Sequence, residues 1–185
     1  NFIKYRQNNL VSPDVFYFVV QQMIEDSRQR QRELGIMALD ATASYRSFIL
    51  LAQFLQVEPH GSGVRSKANH ALDRYTQFPQ LGILEAVYHS PEASFIRERA
   101  LILVSNSALI NLAHSKNIEN SENQTSSQPN SSDENNTQQA NKLYIQRYTT
   151  ILKGLESMLE NPRESSQISQ TLQSTIENLK NLLNS

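Results

Sequence analysis

Cysteine and tryptophan are both absent from this 185-residue chain. Without cysteine there is no disulfide, no thiolate nucleophile and no cysteine metal site. That removes the small secreted disulfide scaffold as a class and leaves both cytosol and bacterial periplasm open. Charge is scarce. Asp, Glu, Lys and Arg make up 19% of the chain, below the roughly one quarter usual for soluble proteins. The net charge is −1, so there is no overall electrostatic pull toward nucleic acid or an anionic membrane. Long apolar runs are missing as well. Runs such as Phe48–Ala52 and Ala100–Val104 are far short of the roughly 20 residues of a membrane span. No targeting segment is visible. The chain opens at Asn1 rather than Met, which reads as a fragment or a processed product.

Catalytic constellations are lacking too. His60, His70, His89 and His114 fall on different expected elements. Glu85 and His89 lie one helical turn apart and could share a ligand, but no second pair of the kind a dimetal site needs accompanies them. There is no His-Glu-x-x-His and no Gly-x-Ser-x-Gly. Neither metal nor cofactor is expected, no catalytic residue is assigned, and the chain is expected not to be an enzyme.

What replaces the charge is Asn, Gln and Ser. Such surfaces are common on exported bacterial proteins, which leans the localisation toward periplasm or cell envelope over cytoplasm. These residues concentrate in Ser115–Gln139, which has almost nothing to bury and is expected as a disordered polar linker. Asn123-Gln124-Thr125, Asn130-Ser131-Ser132 and Asn135-Asn136-Thr137 match the N-glycosylation acceptor pattern, as a tract of this composition does by chance.

The rest of the chain reads as helix. Ser12-Pro13-Asp14 is an N-cap, a first-turn proline and an acid, opening a helix to about Glu25. Asp26 or Ser27 caps the next, about Arg28–Thr42, and Ala43–Val57 follows. Pro59-His60-Gly61-Ser62-Gly63 breaks the pattern. Val64–Thr76 and Pro79–His89 come next. Ser90-Pro91-Glu92 reads as another helix start, leading to about His114 through a helix apolar on several sides and so expected at the centre of a core. After the linker, Ala140–Asn161 carries Leu143, Tyr144, Tyr148, Ile151, Leu152, Leu155, Met158 and Leu159 on an apolar stripe. Asn161-Pro162-Arg163-Glu164 then starts a last helix with Ile168, Leu172, Ile176, Leu179 and Leu183. The two are expected to form a helical hairpin.

An internal echo organises the first 114 residues. Arg32 stands to Gly35, Ala38, Leu39 and Asp40 as Arg65 stands to Ala68, Ala71, Leu72 and Asp73. Arg97, Arg99, Ala100, Leu103 and Val104 repeat Arg65, Lys67, Ala68, Ala71 and Leu72. The period is about 32–33 residues, the range of stacked helical repeats. Small residues three apart let one helix lie close on its neighbour, and the following Leu fills the space beside them.

This pattern resembles the second helix of short HEAT-type repeats, in three imperfect copies over about Ser12–His114. The resemblance implies an all-α superhelix of antiparallel helix pairs over residues 1–114; composition and apolar spacing add a linker over 115–139 and a hairpin over 140–185 expected to pack on or cap the repeats. In that family an acid often sits in the turn before the basic residue. Asp26 and Glu92 could fill the place in copies one and three. Copy two has Gly61-Ser62-Gly63 instead, which puts an acid–base ladder between repeats in doubt.

Five cations are candidate anion or partner contacts. Arg28, Arg30 and Arg32 crowd a helix start, where positive charge opposes the helix dipole. Arg65 and Lys67 follow glycines at another start, where free backbone N–H groups could hold an anion, or where glycine merely serves the turn. The function expected is a non-catalytic scaffold or interaction module with a protein or peptide partner. A structural subunit of an envelope or secretion assembly is one alternative. A HEAT-like nucleic-acid-binding or base-processing enzyme is another, disfavoured by the charge and by the lack of tryptophan.

Overall fold

The computed structural model describes residues 11–122, 131–160 and 166–184, with side chains placed for 11–112, 139–160, 166 and 168–184. Among the described residues there are eight α-helices and no strand. They are α1 (Pro13–Ile24), α2 (Gln29–Thr42), α3 (Tyr45–Val57), α4 (Gly63–Asp73), α5 (Leu81–Tyr88), α6 (Ser94–Glu122), α7 (Ser131–Leu159) and α8 (Ser166–Asn184). The all-α expectation holds, and among the described residues no helix is long and apolar enough to cross a membrane. The chain forms two compact units, Asn1–Tyr75 and Thr76–Ser185.

In the N-terminal unit, α1 starts where Ser12 Oγ accepts the Val15 N–H, with Pro13 in the first turn. It buries Phe16, Tyr17, Val20 and Ile24. Helix α2 packs on it through Gly35, where a Cβ would stand 2.6 Å from Ile24 Cγ2. Gly35 is therefore there for close approach. Ala68, the echoed residue on α4, is fully buried. Helix α2 ends at Ala43 with φ 39°, and Ser44 caps α3 at once by accepting the Ser47 N–H. Hydroxyls gather at this corner: Thr42 Oγ1 lies 2.6 Å from Ser47 Oγ, and Tyr17 Oη lies 2.5 Å from Ser44 Oγ. Tyr75 Oη donates to the Ser44 carbonyl, and its ring meets Phe48 edge-on. Burial raises the Tyr75 phenol well above its usual value.

In the C-terminal unit, α6 touches α5, α7 and α8, the central place expected for it. Ile96, Ala100, Leu101, Val104, Ala108 and Leu112 are buried along it. The α7–α8 hairpin packs on α6 through Tyr148, Ile151 and Leu155 of α7 and Ile168, Leu172, Ile176 and Leu179 of α8, all buried. The α7 stripe is narrower than expected. Leu143 is 54% exposed because five residues before Tyr148 is roughly 140° around the helix. A buried uncharged network joins α6 to α7. Ser107 Oγ donates to the Thr76 carbonyl and lies 2.7 Å from Tyr148 Oη, while Asn111 Nδ2 donates to Tyr148 Oη.

Two expectations change at element ends. Helix α6 starts at Ser94, not at Ser90-Pro91-Glu92, because Ser90 Oγ donates to the Val87 carbonyl and accepts the Glu92 N–H, closing a turn. Helical backbone also enters the polar tract from both sides, to Glu122 and from Ser131. Extending an existing helix costs far less than nucleating one, so composition alone misplaces these ends. The middle of the expected linker, 123–130, and the Asn161–Glu164 helix start lie outside the described residues, as do Asn123 and Asn130 of the acceptor triplets.

Candidate groove at the ends of α1 and α3

Each echoed arginine has the same local role. Arg32, Arg65 and Arg97 are the fourth, third and fourth residues of α2, α4 and α6. Arg32 Nη1 donates to the Asp26 and Ser27 carbonyls (3.0 and 2.8 Å), Arg65 Nη1 to the Leu55 and Glu58 carbonyls (2.5 and 2.6 Å), and Arg97 Nε to the Tyr88 carbonyl (2.9 Å). Each guanidinium thus reaches back to carbonyls at or just past the end of the preceding helix, the negative end of that helix's dipole. A cation that opposes one helix start stabilises the neighbouring helix end.

Acid–base pairs also join helices of the N-terminal unit, with acids inside α2 rather than in the turn where a ladder was expected to place them. Lys67 pairs with Glu33 at 2.8 Å and Arg74 with Asp40 at 3.1 Å, each about one period apart. Arg32 Nε lies 3.3 Å from Glu58 Oε2. Glu58 precedes Pro59, which forces the residue before it out of helical angles. Glu58 is accordingly extended (φ −73°, ψ 129°), which carries its carboxylate between Arg32 and the Ser62 hydroxyl, a 2.7 Å donor.

A groove of about 590 Å³ opens here. Ile24, Leu50, Phe54 and Val57 form its apolar lining, Gln21 and Gln53 contribute amides, and Arg32, Glu58, Glu25 and Asp26 supply charge. Val57 is 80% exposed. Asp26 is bidentate with Arg28, whose hydrogen bonds hold the Asp26 carboxyl down at about 2. A second groove, about 350 Å³, lies between α2 and α4 over Ile36, Met37 and His70. Hydrogen bonds from Lys67 and then Gln29 lower the Glu33 carboxyl nearby.

Of the five cations expected to meet a ligand, four are engaged within the protein: Arg28 with Asp26, Arg32 and Arg65 with carbonyls, Lys67 with Glu33. Arg30 is exposed. The α4 start holds its own cap, since Ser62 Oγ accepts the Arg65 N–H. Gly61, at φ 86°, serves the turn. Glu85 pairs with Arg147, and His89 stacks on Tyr88, so the two do not converge on a shared ligand. Among the described residues no group of three or more His, Asp or Glu could hold a metal ion. Sequence reasoning missed Phe54, Val57 and Glu58. The Glu-Pro pair was the available signal for Glu58, whereas no local pattern marks Val57 as a groove wall.

Comparison of the chain with protein-family models, with curated proteins and with solved structures finds no match.

Proposed function

We propose that the chain is a non-catalytic interaction module built from HEAT-like helix pairs, and that the α1–α3 groove takes up a peptide or a segment of a protein partner. The observation that carries this is the shared role of Arg32, Arg65 and Arg97. Three side chains doing one job at one spacing support a repeated helix pair, and a stack of such pairs leaves grooves between equivalent helices. The groove suits a peptide chemically. Its lining offers apolar side chains for burial, amides for backbone groups, and charges of which Arg32, Glu58 and Asp26 are already paired within the protein, which suits an apolar segment.

The test is a capture experiment on the whole chain with and without Val57→Asp. Val57 is largely exposed, so the variant folds, checked by circular dichroism. A protein retained by the parent chain and lost by the variant supports the groove. Retention of the same proteins by both removes it.

A further inference from the structure

Helix α6 leaves one stripe uncovered although three helices pack on it. Ile102, Leu109 and Ile110 are 40%, 55% and 55% exposed. Asn106, between them, is exposed, and its side-chain amide makes no hydrogen bond among the described residues. Hairpin packing does not cover this face; α8 reaches only its edge, where Asn178 Nδ2 donates to Ser105 Oγ.

Three positions of the stripe read the same from either end: Ile102, Asn106 and Ile110 stand four apart, apolar–amide–apolar. Positions four apart lie on a single ridge of a helix. A ridge that is symmetric about its centre meets the requirement of a two-fold axis, where residue i meets j and j meets i. We propose that α6 pairs with α6 of a second copy of this chain, the two helices crossing in opposite directions at Asn106.

In that arrangement Ile102 of each copy lies against Ile110 of the other, and Leu109 fills the flank. The Asn106 amide falls on the axis. An amide both donates and accepts, so it is satisfied by its twin, whereas a wholly apolar partner would bury it unpaired. Charge also fits a second copy. No Asp, Glu, Lys or Arg occurs from Ala100 to Leu112, so the face does not repel itself. Beside Ile102, α8 presents Gln170, Ser174 and Asn178, an uncharged rim. One helix crossing with such a rim is smaller than a standard permanent interface, so the dimer forms and dissociates with concentration.

The experiment uses the full chain, in which a single introduced thiol is the only one because cysteine is absent. Sedimentation equilibrium of the parent chain from micromolar toward millimolar concentration should show reversible doubling of mass. Ile102→Ser and Ile110→Ser should each move the midpoint roughly tenfold or more to higher concentration, with helicity unchanged. Should a serine variant lose helicity, cross-linking decides. Chains carrying Asn106→Cys should join to one another on mild oxidation or with a short bis-maleimide. Chains carrying Ile102→Cys should join to chains carrying Ile110→Cys in preference to their own kind. A chain that stays monomeric throughout overturns the proposal. So does a dimer indifferent to the serine changes, a dimer abolished by Phe18→Ser on α1, or Ile102→Cys chains that prefer themselves.

Discussion

The N-terminal unit is made of helices of 11 to 14 residues, and charged side chains tie them together. The C-terminal unit is organised on the 29-residue α6 and the 29-residue α7; apolar contact with one uncharged network ties these two, and the ion pairs Glu85–Arg147 and Glu156–Lys180 join α7 to α5 and to α8. Short helices have a large share of their backbone in unsatisfied end groups, so the N-terminal unit spends arginines on carbonyls and serines on N–H groups. Long helices have proportionally fewer ends and more side. The C-terminal unit therefore depends on Ile96, Leu101, Val104, Leu155 and Leu172, all almost wholly buried. Arg97 shows that the arginine latch still operates there, at the α5–α6 corner where the preceding helix has only eight residues.

The strongest way to break this contrast is Leu155→Ala. Leu155 is fully buried on α7, and the truncation should cost about 2–5 kcal/mol. Hydrogen exchange should show protection falling together in α5, α6, α7 and α8. If α7 and α8 exchange fully while α6 keeps its protection, the hairpin is a separate module and the unit is not built on α6.

Next comes Arg32→Met. It leaves the Glu58 carboxylate, with a side chain only 6% exposed, without its cation, and should cost about 3 kcal/mol in urea unfolding. Adding Glu58→Leu should return most of that loss, because the unpaired buried charge is what destabilises. A single variant as stable as the parent would show that charge does not hold the N-terminal unit together.

Tyr148→Phe tests the uncharged network. It removes a hydroxyl that Ser107 and Asn111 both use, and the loss should be about 1–2 kcal/mol by thermal unfolding. An unchanged melting temperature would mean that apolar contact alone defines the α6–α7 pairing.

The smallest effect concerns acid. Arg28 holds the folded Asp26 carboxyl at about 2 against 3.8. A folded value below the unfolded one contributes stability above 3.8 that is lost as pH falls toward 2. The pair faces solvent, so the contribution is small and weakens with salt. Arg28→Ala should lower stability slightly at every pH above 3.8 and flatten the slope of the profile between about 2 and 3.8. A change of slope near neutral pH instead would assign Arg28 a different partner.

Much of the fold was legible in the chain because helix signals are local. Ser12-Pro13 and Gly61-Ser62-Gly63 mark starts that need only neighbours within four residues, and the stripe Ile168, Leu172, Ile176, Leu179 announces a buried face by spacing alone. Ser90-Pro91-Glu92 failed for the same kind of reason: the same three residues serve a turn when Val87 offers its carbonyl. The groove was largely illegible. Arg32 and Arg65 stood out as cations in an awkward place, but their acceptors were not visible from composition or period.

By itself, then, the sequence determined the helices, the small residues such as Gly35 at which one helix can approach another, and the spacing that repeats Arg32 at Arg65 and Arg97. Backbone hydrogen bonds and caps reach only three or four residues along the chain, so local order suffices to write them. Tertiary structure decided what those side chains do. Arg32 meets Glu58 26 residues away, Lys67 meets Glu33 34 away, and Ser107 meets Tyr148 41 away. It also decided that Ile102 and Ile110 stay outside while Leu101 and Val104 go in. Which side of an apolar helix is covered depends on how many neighbours reach it, and no period along the chain records that number.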